Sequence, residues 1–500
     1  MRGPRASRMT RRNLLTTAVM ASAAVALPGL PPPRAVSALH SSTPVSGAEL
    51  DAIAQDLDAF VTRRMADLQV PGVAVGVVLN DEEYTAGFGV TNLDHPLPVD
   101  TRTLFQIGST TKTVTATALM RLVEQGKVDL ESPVRTYIPD FRVADTKVSE
   151  EVLIRHLVTH TAGWFGDDFT DTGRGDDALA AYVTEMADLP QIAPLGRFFS
   201  YNNAALSVVG RVIEVVNDQP YEDVVKEQVF APLGMEHSYF FPEQLMTQAF
   251  TAGHAAPPDD PHGAPQVVPA WSFPRAVNPA GGIVSSVEDQ LRYARFHLGT
   301  GPTPGTDVLS AESRAAMQAP HGPGGSLGLY SLDGFGVTWM LATLGGKRVL
   351  LHGGSTNGQQ SGFLLLPDDG FGITVLTNSE TGAILAEETL LWTLDRLFGL
   401  SLPEPTPINA SPETLSAYEG NYASGTGANL EVSADGGSLS LKVTVNDEPL
   451  PDGAGPLVMV DEDRAVFDFA GMPFQTDFLR DDDGTVNWIR FSGRLSLRVN

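Results

Sequence analysis

Apolar side chains return every third or fourth residue along several stretches of the first four hundred residues, and every second residue beyond residue 412. The first period predicts helices and the second predicts strands. Leu50, Ile53, Leu57, Phe60, Val61, Met65 and Leu68 fall on one face of a helix over 47–69. Residues 71–79 and 84–90 read as strands around an Asn80-Asp81-Glu82-Glu83 turn. Val114, Leu119, Leu122 and Val123 predict a helix whose first turn holds Ser109 and whose stop is Gly126. Further helices are predicted over 149–157, 204–216, 220–233, 287–298, 311–317 and 387–398. Strands are predicted over 335–341, 348–352, 361–366 and 371–377, the last two joined by a Pro367-Asp368-Asp369-Gly370 turn. Residues 251–282, rich in Pro and Gly, read as a long loop bordering a site. Apart from its short helix, 302–328 reads as loop.

The pattern changes after a Pro-rich linker over 403–412. Short alternating strands follow at 430–432, 439–443, 458–460, 465–469, 474–478, 486–491 and 495–497, with turns such as Asp435-Gly436-Gly437 between them. This is the pattern of a small all-β barrel over 413–500.

Composition narrows the function classes. The 500 residues carry a formal net charge of −27, which argues against a surface that neutralises nucleic-acid phosphates. No cysteine is present, so disulfides, thiolate metal sites and a cysteine nucleophile are all excluded. Nothing in the sequence calls for a metal or a cofactor. Asp167, Asp168, Asp171, Asp176 and Asp177 lie in a Gly-rich segment whose spacing does not fit a calcium loop. The expectation there is a solvated loop. Residues 1–38 hold six arginines and no acid, with Thr10-Arg11-Arg12-Asn13-Leu14-Leu15 ahead of a short apolar run. That is the shape of a bacterial export signal of twin-arginine type. Its cleavage near Ala26 or Ala38 would leave a secreted protein without stable membrane insertion. Cleavage after 38 would shift the charge to about −33.

Three motifs carry candidate chemistry. Ser109-Thr110-Thr111-Lys112 puts a hydroxyl and an amine on one helical face at a helix start. A serine hydroxyl becomes a nucleophile when a base takes its proton, and a lysine is that base when its pKa is lowered. Helix N-terminal N–H groups suit an oxyanion. Tyr201-Asn202-Asn203 opens the 204–216 helix, where its side chains can face a cleft. His352-Gly353-Gly354 ends a strand, and its two glycines let a ligand approach the backbone and the N–H of Ser355. Gly324-Gly325-Ser326-Leu327-Gly328 matches the nucleophile-elbow pattern, but neither a strand before it nor a helix after it is predicted, so it reads as a decoy.

Ser-x-x-Lys, Tyr-x-Asn and His-Gly-Gly, in this order, resemble the class C β-lactamase-like serine hydrolases. That group takes in penicillin-binding proteins, D-Ala-D-Ala carboxypeptidases, D-aminopeptidases and esterases. The likeness covers about 50–400. It extends to residues 154–163 and 201–210, to Phe230-Ala231-Pro232-Leu233-Gly234-Met235 and to Pro279-Ala280-Gly281-Gly282. The all-β tail resembles the lipocalin-like domain of some members. The resemblance implies an α/β (α+β) fold, an antiparallel sheet flanked by helices with a helical subdomain, over 39–402. It implies Ser109 as the acylated nucleophile, with Lys112 and Tyr201 sharing the proton work. Each of the two would hold down the other's pKa. Ser109 and Ser355 N–H groups would form the oxyanion hole, and Asn203 would orient a substrate amide. The third motif departs from the Lys-Thr-Gly of true β-lactamases. A neutral His352 grips a carboxylate less firmly than a lysine does, which favours a peptidase or esterase acting on small peptides, amides or esters. The competing readings are a β-lactamase, an acyl-transferring cyclase of the same fold, and a binding protein that uses the cleft without turnover.

Overall fold

A computed structural model describes residues 47–499, apart from 258, 262, 272, 301–307, 426–427, 446–447 and 470. The predicted export signal lies outside the described residues. The main sheet has eight strands in the spatial order Glu82–Gly89, Gly72–Leu79, Phe371–Thr377, Gln360–Leu366, Lys347–Ser355, Met340–Leu344, Tyr330–Phe335 and Gly322–Leu327. Every neighbouring pair is antiparallel.

Its central strands are apolar at nearly every position because both faces are covered. Val73, Val75, Val77, Leu364, Leu366 and Ile373 pack against helices Gly47–Asp67 and Gly382–Phe398. The alternate positions, among them Ala74, Val78, Phe363, Leu365 and Leu376, face a larger core built with the helical half of the chain. Burying one such side chain stabilises by about 1.5–3 kcal/mol.

Helix Thr111–Glu124 runs through that larger core, and every residue from Thr111 to Met120 is buried. A helix buried on all sides needs partners for its polar groups. Here Thr115 and Thr117 donate to Thr111 O and Thr113 O, and their hydroxyls also meet those of Tyr221 and Tyr293. The helix ends at Glu124, and Gly126 follows with φ +69°.

Three expectations shift. The helix predicted over 149–157 is two, Thr146–Glu151 and Ile154–Val158, separated by extended Val152 and Leu153. Residues 335–341 were predicted as one strand, but the chain turns there. Strand Tyr330–Phe335 ends, Thr338 takes φ +65°, and the next strand starts at Met340. The apolar side chains of Val337 and Trp339 mimic strand alternation because they plug the core from this turn. Gly322–Leu327, expected as loop, is the outermost strand of the sheet. A hairpin strand, not a helix, follows Ser326, so no nucleophile elbow forms there.

Residues 420–499 form a closed eight-stranded barrel with each strand beside its sequence neighbours. Strand Gly420–Ala423, invisible as a pattern, pairs with Arg494–Val499 and closes it. Tyr418, Tyr422, Phe467, Phe478 and Ile489 fill the interior. The barrel docks on the sheet edge and on the segment before Tyr201. Arg490 Nε donates to Phe199 O at 3.1 Å, Leu495 N to Ser200 Oγ at 3.1 Å, and Trp488 Nε1 to Ile192 O at 2.8 Å. Among the described residues, no helix is long and apolar enough to cross a membrane.

Candidate active site

Gly108 takes φ +50°, a conformation that favours glycine, and starts the single 3₁₀ turn Gly108–Thr110 ahead of the long helix. The turn is clamped from two sides. Ile107 N donates to Ile283 O at 3.0 Å, and Ser361 Oγ donates to Ile107 O at 2.7 Å. Ser109 thereby sits against the strand that carries Gly353, Gly354 and Ser355. A Cβ on Gly354 would lie 1.9 Å from Ile107 O and 2.7 Å from Ser109 N; one on Gly108 would lie 2.6 Å from Ser355 N. The two glycines permit a contact that any side chain would prevent.

Lys112 is fully buried, one helical turn from Ser109. Its Nζ lies 3.0 Å from Ser109 Oγ and donates to Ala280 O at 2.6 Å. Burial pushes this ammonium well below the usual lysine range. The Arg494 guanidinium adds to that push, and Asp167 opposes it. Tyr201 lines the same cleft as Ser109. Lys112 Nζ stands 4.9 Å from the centre of the Tyr201 ring. Burial raises the tyrosine, while Ser109 and Arg494 hold it down. The expectation that amine and phenol lower each other is therefore replaced. Desolvation favours the neutral form of both, and the cation that acts on both is Arg494.

Asn202 caps helix Asn203–Asn217 by accepting from Ala205 N at 2.8 Å, which leaves Asn203 to face the cleft. Asn203 Nδ2 donates to Asp167 Oδ1 at 2.7 Å. Ser109, Tyr201, Asn203, Gly353, Gly354, Ser355 and Arg494 all line one cavity of about 70 Å³. Lys112 lies behind this wall, and His352 lines an adjoining cavity.

Burial pushes the His352 imidazole down to about 3, so it is neutral. Its Nδ1 lies 2.7 Å from Gly353 O, which puts the proton on Nδ1 and leaves Nε2 a buried acceptor without a partner. His160 is its counterpart. It stacks on Tyr201 at 4.5 Å and accepts from Asn202 N through Nδ1 at 3.1 Å, so its proton sits on Nε2, also buried and unpartnered.

Sequence reasoning missed Asp167, Arg494 and His160. Asp167 belongs to the segment expected to be solvated, yet it is only 4% exposed. It accepts from Arg494 Nε at 2.8 Å. Arg494, on the last barrel strand, also stands 4.9 Å from the centre of the Tyr201 ring. The neighbouring Gly493 O accepts from Tyr201 N at 2.8 Å. No local pattern ties residue 494 to residue 201; only closure and docking of the barrel bring them together.

The family model described as Beta-lactamase matches residues 57–394. The chain belongs to the β-lactamase family. Members of this family are generally serine hydrolases acting on peptide and amide substrates. Among its β-lactamase-family relatives, a protein named penicillin-binding protein 4 of Amycolatopsis lactamdurans is 33% identical over 354 residues, covering 69% of this chain and 92% of that one. An unguisins hydrolase of Aspergillus campestris is 26% identical over 374 residues, covering 71% of this chain and 66% of its own. The crystal structure of SurE with D-Leu superposes with a TM-score of 0.71 at 25% identity, covering 91% of this chain and 100% of that chain. That overlap takes in the barrel as well as the β-lactamase-family core.

Proposed function

We propose that the protein is an exported serine hydrolase that cleaves peptide, amide or ester bonds through an acyl-enzyme on Ser109. One observation carries this reading: a buried Lys112 amine, pushed by that burial well below the usual lysine range, stands 3.0 Å from the Ser109 hydroxyl. A neutral amine at that distance takes the hydroxyl proton as the oxygen attacks the carbonyl carbon. The Ser109–carbonyl bond forms, and negative charge gathers on the carbonyl oxygen. The N–H groups of Ser109 and Ser355, brought close by Gly108 and Gly354, would face that oxygen; one such donor lowers the barrier by about 2.7–4 kcal/mol. Tyr201, protonated and lining the same cleft, passes a proton to the leaving group and later takes one from the attacking water, while Lys112 returns its proton to the Ser109 oxygen as the acyl-enzyme breaks. Asn203, fixed by Asp167, orients the substrate amide.

The third motif supports peptides and esters over β-lactams. His352 is neutral and buried, so the cation beside the cleft is Arg494, itself paired with Asp167. The likeness to a protein solved with D-Leu supports a D-residue on the acyl side. Export is supported by the arginine-rich, acid-free residues 1–38.

Intact-mass analysis with a fluorophosphonate tests the assignment. The wild type gains one adduct and Ser109→Ala gains none; an adduct that persists in Ser109→Ala contradicts it. Turnover of D- and L-aminoacyl amides, p-nitrophenyl esters and a penicillin then sorts the substrate class. N-terminal sequencing of secreted protein locates the cleavage, and a mature protein that still begins at Met1 contradicts export by cleavage.

A further inference from the structure

Behind Gly353 lies a second cavity, of about 80 Å³, between the main sheet, helix Gly382–Phe398 and the barrel. It shares Leu327, Met340, Gly353 and Arg494 with the Ser109 cleft, so the two are neighbours across one wall. Leu351, Leu390 and Phe474 make much of its lining apolar. Two polar groups on that lining have an acceptor oxygen with no protein donor among the described residues. Glu387 takes one hydrogen bond, on Oε1, from the Tyr330 hydroxyl. Its Oε2 has no hydrogen-bond donor among the described residues, and no basic side chain pairs with it there. Gln360 is 2% exposed, and its side-chain carbonyl oxygen has no partner.

A half-buried carboxyl and a buried amide oxygen line this largely apolar cavity, and the amide oxygen is costly unless something donates to it. Burial raises the Glu387 carboxyl to about 7, as expected where no cation offsets the loss of water. A ligand that brings donors and positive charge, on a stem that tolerates an apolar wall, complements this lining. A primary ammonium has three donors and no acceptor. A guanidinium fork suits a carboxylate with both oxygens open, and here Tyr330 occupies one. Arg494 does not fill the role, since its own charge is held by Asp167.

We propose that this cavity is a substrate subsite for an aliphatic chain ending in a primary amine, as in a lysine-like residue, with the ammonium held by Glu387 and Gln360. The inference rests on Ser109 being the nucleophile, because it places the amine-bearing arm beside the reacting carbonyl.

Dipeptide amides with lysine or norleucine on either side of the scissile bond, in both configurations, isolate the amine, since norleucine lacks only that group. In the full-length enzyme, lysine is favoured over norleucine at one of the two positions by about tenfold or more in kcat/KM. Glu387→Gln brings that ratio to one or below. Reading the ratio cancels any general loss of activity in the variant. Ala386→Leu, which fills the cavity from the same helix, lowers the lysine and norleucine rates relative to alanine and serves where Glu387→Gln does not fold. No lysine preference at either position in the wild type, or a preference that Glu387→Gln leaves intact, overturns the subsite. Absence of turnover with every substrate overturns the hydrolase reading instead. In that case n-butylammonium decides the subsite: it raises the melting temperature of the Ser109→Ala protein and not of the Ser109→Ala/Glu387→Gln protein, and equal shifts in both overturn it.

Discussion

A lysine amine enclosed by protein gives up its proton more readily because burial penalises charge, and at Lys112 a neighbouring guanidinium pushes the same way. Removing that guanidinium reverses part of the effect. In Arg494→Met the cation is gone and Asp167 stays, so the amine holds its proton to higher pH. The base is the deprotonated form, so the acid limb of the kcat/KM profile moves to higher pH in Arg494→Met. A limb that stays where the wild type has it contradicts this coupling. Lys112→Ala removes the base itself and lowers kcat by about 10²–10⁴-fold. At this scale the sequence was legible where residues are close along the chain. Ser109 and Lys112 are one turn apart, and their spacing alone puts them on one face. Arg494 and Asp167 were opaque because the contact that matters spans most of the chain, and an aspartate among aspartates reads as solvent-facing.

Among the elements, the turn at Gly108 and the strand at Gly354 act as one device. Their backbones meet so closely that Gly354→Ala would set a methyl 1.9 Å from Ile107 O. The strand or the turn must then move, and the Ser109 and Ser355 N–H groups part. A displacement of about 1 Å can cost about 10²-fold in rate. The expected result for Gly354→Ala is a fall of that order in kcat/KM with the Lys112 pH limb unchanged; wild-type rates in this variant contradict the close approach. Helices such as Val287–Leu298 match the predicted range because Ser286 caps one end and Gly299, at φ +71°, closes the other. The strand predicted over 335–341 failed because side chains buried from a turn produce the same alternation as a strand.

For the whole molecule, the barrel is part of the proposed site. It supplies Arg494 and the carbonyl that holds Tyr201 N, and Arg490 ties it to the segment just before Tyr201. Arg490→Met leaves Asp477 with only the Ser326 N–H as partner among the described residues and removes the hydrogen bond to Phe199 O. Removing one partner of a hydrogen-bonded ion pair that is only partly exposed costs about 1.5–3 kcal/mol. The melting temperature and kcat/KM are expected to fall together; a loss of stability with full activity contradicts the coupling of barrel to site. Acid sensitivity is a second whole-molecule property. His297 is buried among Tyr293, Phe296 and Trp339, and burial pushes it down to about 3. The unfolded chain takes up a proton near 6.5 where the folded one does not, so stability is full above 6.5 and is lost as pH falls toward 3. At pH 5 this group alone costs about 2 kcal/mol. His297→Phe is expected to flatten the decline of melting temperature between pH 6.5 and 5; an unchanged slope contradicts it. Strand alternation made the barrel visible in the sequence, but its closure by Gly420–Ala423 and its docking depend on contacts with no local pattern.

The most direct test of the central claim is the rate of Ser109 acylation by a p-nitrophenyl ester, read as the pre-steady-state burst across pH. The account predicts a burst that rises with pH to a plateau, with its midpoint well below the ordinary lysine value of about 10.4, and that is abolished by Ser109→Ala and cut by at least about 10²-fold by Lys112→Ala. A midpoint near the ordinary lysine value, or a burst that survives Lys112→Ala at full rate, would contradict it.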